Sequence, residues 1–162
     1  MLGELILRPV RLPADANFLL SVYAATRTAE LTMLGWPDAQ AEAFIRMQFD
    51  AQTRHYRTLY PLAVHSVVAV GGEAAGRLIV ARSDEEIRIV DIALLPEFRR
   101  VGVGSRLVRR LIEDADASGL PIRCHVVQGN DARRFWEHLG LVARGQDGAH
   151  IFMERVCVTA PR

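Results

Sequence analysis

Apolar and polar positions switch between two periods along this chain, and the switches mark its elements. Leu5 to Val10 predicts a first strand. Pro13 and Asp15 then open a helix that carries Phe18, Leu19, Val22 and Tyr23 and runs towards Arg27, Glu30 and Leu31. Gly35-Trp36-Pro37 breaks the pattern, and Pro37 suits the first position of a second helix. Ala41, Phe44, Ile45, Gln48, Gln52, His55 and Tyr56 form one stripe of that helix, apolar at first and polar later. Two readings fit the stripe: a helix leaving the core, or one whose second half walls a polar pocket. Strands follow at His65 to Val70 and Gly76 to Ala81, joined by a hairpin turn at Gly71-Gly72-Glu73.

A second turn, Ser83 to Glu86, leads into Ile87 to Leu95, nearly continuous, apolar and β-branched, as expected of a strand buried on both faces. Pro96 stops it, since proline lacks the N–H a ladder needs. Leu107, Val108, Leu111, Ile112 and Ala115 recur at helical spacing until Ser118-Gly119, with Pro121 just beyond. Ile122 to Val127 reads as another buried strand. Asn130 can cap a helix whose apolar side is Ala132, Phe135, Trp136 and Leu139 and which Gly140 ends. Leu141 to Arg144 and His150 to Val158 close the chain as a hairpin around Asp147-Gly148. This order predicts an α/β (α+β) fold: a mixed, mainly antiparallel sheet of six to seven strands with helices on both faces. Its strand–helix–strand unit, 87 to 127, should be parallel and right-handed.

Composition narrows the class. With 162 residues, half of them hydrophobic, and no repeat or interdomain linker, the expectation is one domain over 1–162 with a real core. A formal charge of +1 gives no case for nucleic acid or an anionic membrane. No apolar run approaches about 20 residues, which argues against a membrane span. Met1 to Arg8 carries no basic leader before its apolar segment, so no signal peptide is expected. Cys124 and Cys157 offer neither a disulfide framework nor metal spacing. A cytoplasmic enzyme without a metal is expected. All twenty basic residues are arginine, which reads as compositional bias rather than function.

The candidate chemistry sits between the apolar strand and the helix after it, at Arg99-x-x-Gly102-x-Gly104. A helix N-terminus leaves N–H groups without partners and carries partial positive charge. Glycines let the backbone approach an anion, and Arg99 and Arg100 add two permanent charges suited to phosphate. Together these make a phosphate cradle, although an ordinary flexible turn would look similar. A Walker loop is excluded, because the chain has no lysine. A Rossmann turn is disfavoured, because Leu107 stands where its third glycine belongs.

Strand, Pro96, Arg99-x-x-Gly102-x-Gly104 and amphipathic helix, in this order, resemble the acetyl-CoA signature of the GNAT N-acetyltransferases. Asn130-Asp-Ala132-Arg-Arg-Phe135-Trp136 resembles the family's Asn-x-Ala-x-x-Leu/Phe-Tyr helix, and the element order is the family's too. The resemblance covers the last two-thirds of the chain well and the first 60 residues mainly in element order. It implies that acetyl-CoA is the acyl donor and that an amine, small-molecule or peptide, attacks the thioester directly. It places the turn Arg99, Arg100, Val101, Gly102, Val103, Gly104 and Ser105 on the pyrophosphate, and Ile92, Ala93 and Leu94 along the pantetheine arm. Asn130 and Trp136 then also face the cofactor, and a backbone N–H near Leu94 polarises the thioester. A homodimer is an open option.

Proton transfer has two candidates. Asp91 stands where some polyamine-acetylating members carry an acidic residue, or it is paired with Arg77 or Arg88. His125 stands where some peptide N-terminal acetylating members carry a glutamate, or it is a core histidine bonded to a neighbour. Arg27, Glu30 and Trp36 fall in the region that covers the acceptor in the family, or they lie on the surface of a helical turn. The family tyrosine that commonly protonates the thiolate is Trp136 here. An indole N–H donates a hydrogen bond but supplies no proton near neutrality. Either Trp136 lies beside the sulfur without serving as an acid, or it fills the core. The rival from another class is therefore a non-catalytic acyl-CoA binding module.

Overall fold

Alternation along the strands decides which side chains the sheet buries. The computed structural model describes residues 2–128 and 131–158. Its elements are β1 (Leu5–Pro9), α1 (Ala16–Leu34), α2 (Asp38–Leu59), β2 (Val64–Val70), β3 (Glu73–Arg82), β4 (Ile87–Leu94), α3 (Val103–Ser118), β5 (Ile122–Val127), α4 (Ala132–His138), β6 (Val142–Asp147) and β7 (His150–Arg155). The seven strands form one sheet in the order β1-β2-β3-β4-β5-β7-β6. β4 and β5 run parallel, with Ile87 opposite Ile122, while β1 with β2, β5 with β7 and β6 with β7 are antiparallel. The chain divides into two compact units, residues 1–79 with 91–101, and residues 80–90 with 102–162.

In the first unit β1 and β2 pair from Leu5 opposite Val70 to Pro9 opposite Ser66. Gly71 and Gly72, at φ 59 and 84°, take the left-handed conformations that a two-residue hairpin turn requires. Val67, Val68, Val70, Ala75, Leu78 and Ile79 form the core of this unit with Val22 and Tyr23 of α1 and Ile45 of α2. Gly35 ends α1 at φ 63°. Asp15 occupies the position before α1 but does not cap it. Its carboxylate turns back, pairing with both terminal nitrogens of Arg8 at 2.8 Å and accepting Arg11 N–H at 2.7 Å. α2 carries the predicted stripe with two slips: Gln48 and His55 are exposed, and Phe49 and Thr53 face inward in their place.

In the second unit α3 buries Val103, Leu107, Val108, Leu111 and Ala115, the i, i+4 face expected of an amphipathic helix. Burying each large apolar side chain is worth about 1.5–3 kcal/mol. Gly119 ends α3 at φ 69° and donates back to Asp116. β5 alternates rather than being buried throughout: Ile122, Cys124 and Val126 face the core, and Arg123, His125 and Val127 face the other way. On that outer face Glu86 accepts from Arg88 and Arg123, and Arg123 also holds Glu154 at 2.7 Å. Among the described residues no helix is long and apolar enough to cross a membrane.

Candidate active site

The turn after β4 is built by three local decisions. Pro96–Phe98 forms one 3-10 turn, closed by Phe98 N–H on Leu95 O and by Arg99 N–H on Pro96 O. Arg100 takes φ 60° and Gly102 takes φ 91°, so the chain turns twice through left-handed backbone before α3 begins at Val103. Gly102 is required by that angle, whereas Gly104 lies in the first turn of α3 with ordinary helical backbone. The first helical bond is Arg106 N–H to Gly102 O. Among the described residues the backbone N–H groups from Arg100 to Ser105 meet no protein acceptor. Such an array at a helix start suits an anion, and it fits the pyrophosphate of a coenzyme A donor.

Arg99 is placed differently from a phosphate ligand. Its Nε donates to Leu94 O at 2.9 Å and a terminal nitrogen to Ala25 O at 3.3 Å, so the side chain ties the turn to β4 and α1. Arg100 and Val101 are exposed, and Val103 is buried. Ile92, Ala93 and Leu94 form the end of β4, with Ala93 buried. Here β3 approaches closely. A Cβ on Gly76 would collide with Ala93 O and lie 2.9 Å from Leu94 Cα.

Asp91 is one residue before that stretch. Its Oδ2 accepts from Arg77 Nε at 2.6 Å, and Arg77 also donates to Gln52 Oε1 at 2.6 Å. The partner among the two arginines considered is thus Arg77, which is only 6% exposed. His125 is exposed rather than a core histidine, and its Nδ1 lies 3.0 Å from an Arg88 terminal nitrogen. A guanidinium has no lone pair, so Arg88 must donate and the imidazole must carry its proton on Nε2. Burial first, then Arg88, holds the His125 pKa below its ordinary value. Its ring packs against Phe152 at 5.4 Å.

Trp136 is 5% exposed and packs edge-on against Phe135 at 5.0 Å, while Phe135 is half-buried. Trp136 O accepts from Leu139 and Leu141 N–H, closing α4. Asn130 lies outside the described residues. Cys124 is no nucleophile, since burial pushes its thiol up to about 12.

The first unit holds a cavity of about 530 Å³, of which the polar end of α2 is the one sign legible in the sequence. Val10 and Leu12 after β1, Ala16 and Leu19 of α1, and Phe49, Asp50, Thr53, Tyr56 and Arg57 of α2 line it, with His65 and Ser66 of β2 and Arg77 and Ile79 of β3. The second half of α2 therefore walls a partly polar pocket. Burial first, then Asp91, pushes the Tyr56 phenol up to about 12. Burial first, then Arg57 and Arg77, lowers the His65 pKa, leaving it neutral near pH 7. Arg27, Glu30 and Trp36 do not line this cavity. Arg27 reaches Glu30 at 3.3 Å and lies over the Tyr23 ring, and Trp36 packs edge-on against Phe44 at 5.1 Å.

Comparison with known proteins adds to this geometry. Residues 25–141 match the acetyltransferase (GNAT) family. No curated protein matches the chain. Among solved structures, a PaiA N-acetyltransferase from Thermoplasma acidophilum, in complex with coenzyme A, is 16% identical with a TM-score of 0.69, covering 94% of this chain and 99% of that one. An acetyltransferase from Thermus thermophilus is 21% identical with a TM-score of 0.68, covering 96% and 99%. An acetyltransferase from Streptococcus agalactiae is 13% identical with a TM-score of 0.63, covering 94% and 98%. At these identities the likeness speaks for the fold.

Proposed function

The chain belongs to the GNAT acetyltransferase family, and we propose that it transfers an acetyl group from acetyl-CoA to a primary amine by direct attack in a ternary complex. The observation that carries this reading is the turn from Arg100 to Ser105, whose backbone N–H groups have no acceptor in the described chain. Acetyl-CoA supplies a thioester carbonyl that an amine can attack. Arg100, Val101, Gly102, Val103, Gly104 and Ser105 would hold its pyrophosphate through backbone N–H groups and partial positive charge. Arg99 positions the turn by fixing Leu94 O. Ile92, Ala93 and Leu94 would line the pantetheine arm.

An amine with a pKa of about 10.4 must lose a proton before it attacks. Of the two acceptors considered, His125 has its only free lone pair, on Nδ1, turned to Arg88. Asp91 has Oδ2 on Arg77, while its Oδ1 makes no hydrogen bond among the described residues. The reading therefore gives proton acceptance to Asp91. Trp136 cannot protonate the departing thiolate, so water does. That same residue favours the second reading, a non-catalytic acyl-CoA binding module.

Coenzyme A release with a panel of amines separates the two. Calorimetry on acetyl-CoA tests the turn: Gly104→Glu should weaken binding at least tenfold, about 1.4 kcal/mol, by bulk and like charge. Parental affinity in a folded Gly104→Glu protein would remove the turn from the site.

A further inference from the structure

The cavity in the first unit carries its own chemistry, independent of the turn. α2 presents Asp50, Thr53 and Arg57 to it at i, i+3 and i+7, one helix face. At 1.5 Å per residue Asp50 and Arg57 stand roughly 10 Å apart along the axis. Neither makes an ion pair or a side-chain hydrogen bond among the described residues. The apolar part of the lining includes Leu19, Phe49 and Ile79.

Arg77 closes one side. It spends Nε on Asp91 and one terminal nitrogen on Gln52, and its other terminal nitrogen bonds nothing in the described chain. No buried side-chain nitrogen or oxygen among the described residues lacks a partner, so this nitrogen is not sealed off, and Arg77 lines the cavity. The Tyr56 hydroxyl is in the same position: unbonded, yet not sealed in. A nearly buried guanidinium with an unused edge, a phenol O–H and a second, unpaired arginine form a donor set for a carboxylate. Asp91 already balances the charge of Arg77, so a polycation finds only Asp50.

We propose that this cavity binds the acceptor, and that the acceptor is a free amino acid with an apolar side chain: an amine and one carboxylate on an apolar body. The carboxylate lies on Arg57 and Arg77, the side chain against Phe49 and Ile79, and a cationic amine is drawn in by Asp50. The volume of about 530 Å³ accommodates such a molecule. This assignment rests on the acetyl-transfer reading for the reaction itself: the cationic amine first gives one proton to Asp91, its nitrogen then bonds the acetyl carbon as the carbon–sulfur bond breaks, and the nitrogen's second proton reaches the thiolate through water, so coenzyme A leaves as its thiol.

Binding is measured by calorimetry on the full chain with N-acetylphenylalanine and N-acetylleucine, each against its primary amide. The better acid should bind about tenfold or more tightly than its amide, a difference of about 1.4 kcal/mol. Arg57→Gln should shrink that preference to about threefold or less while acetyl-CoA affinity and the circular dichroism spectrum hold. Equal binding of acid and amide, no binding of either acid, or an undiminished preference in folded Arg57→Gln would overturn the assignment. Coenzyme A release with phenylalanine, leucine and spermidine is run in parallel. Acid preference without release from any amine would retain the carboxylate cavity and sink acetyl transfer. Release with spermidine and no acid preference would do the reverse.

Discussion

Arg77 is the side chain on which the first unit's polar interior depends. Its side chain is 8% exposed and joins Asp91 on β4 to Gln52 on α2. Removing the guanidinium strands a carboxylate that is itself only 20% exposed. Arg77→Met should cost about 2–4 kcal/mol in urea unfolding, somewhat under a fully buried pair because Asp91 keeps some water. The Arg77→Met, Asp91→Asn double variant should lose less than the sum of the singles; strict additivity would show that the pair is uncoupled. The catalytic comparison belongs to the same scale. Asp91→Asn should lower turnover about a hundredfold with acetyl-CoA affinity intact, and His125→Ala should stay within a few-fold of the parent. A collapse of activity in His125→Ala alone would give the base role back to the imidazole. Residue types that can take a proton were legible in the sequence. Which lone pairs are already occupied was not, because Arg88 is 37 residues from His125 in the chain and Arg77 is 14 from Asp91. The cavity residues His65 and Arg57 gave no signal because neither lies in a motif.

At the scale of elements, propensity and period identified all seven strands and four helices, with ends shifted by a residue or a few. Helix stops were legible because Gly35 and Gly119 supply left-handed backbone that other residues resist. The stripe on α2 slipped at two places because a helix with polar residues in its second half offers two adjacent faces of similar hydropathy. Phe49 and Thr53, which line the cavity, won over Gln48 and His55. The close approach of β3 to β4 had no sequence signal beyond a glycine inside a strand. Gly76→Ala must push β4 away at Ala93 and Leu94. A Cβ in a packed sheet costs about 1–3 kcal/mol. On the proposed reading, Leu94 N–H also shifts from the thioester carbonyl. The expected result is a lower melting temperature together with lower turnover for any acceptor and a smaller change in acetyl-CoA affinity. Parental stability in Gly76→Ala would mean that β4 has room to give way.

For the molecule as a whole, arginine supplies every basic side chain, and ten ion pairs among the described residues are the visible consequence. Several of them set how stability responds to acid. The Arg8 hydrogen bonds, then the Arg11 N–H, hold the Asp15 carboxyl well below the ordinary range. Arg155 lowers Asp116 by the same means. Burial alone would raise Glu86, but Arg88 and Arg123 outweigh it and the net shift is downward. A carboxyl lowered on folding contributes stability that is fully present above its unfolded value, about 4, and is lost as pH falls through the folded value. The histidines act earlier and in the same sense. His65 and His125 are both lowered, chiefly by burial, so below about 6.5 the unfolded chain takes up protons that the folded chain resists. Stability therefore rises with pH across the window just below 6.5. Thermal unfolding should be flat from about pH 7 to 8, decline gently from about 6.5 to 5, and fall steeply below about 4. Asp15→Asn keeps an oxygen for Arg11 N–H but removes the titrating charge, so its melting temperature should start lower at pH 7 and fall less between about 4 and 2. Melts by circular dichroism across that range, for parent and Asp15→Asn, decide the matter. A melting temperature that rises on acidification from 7 to 5 would reverse the histidine assignment, and parallel parent and variant curves below 4 would take Asp15 out of the acid response.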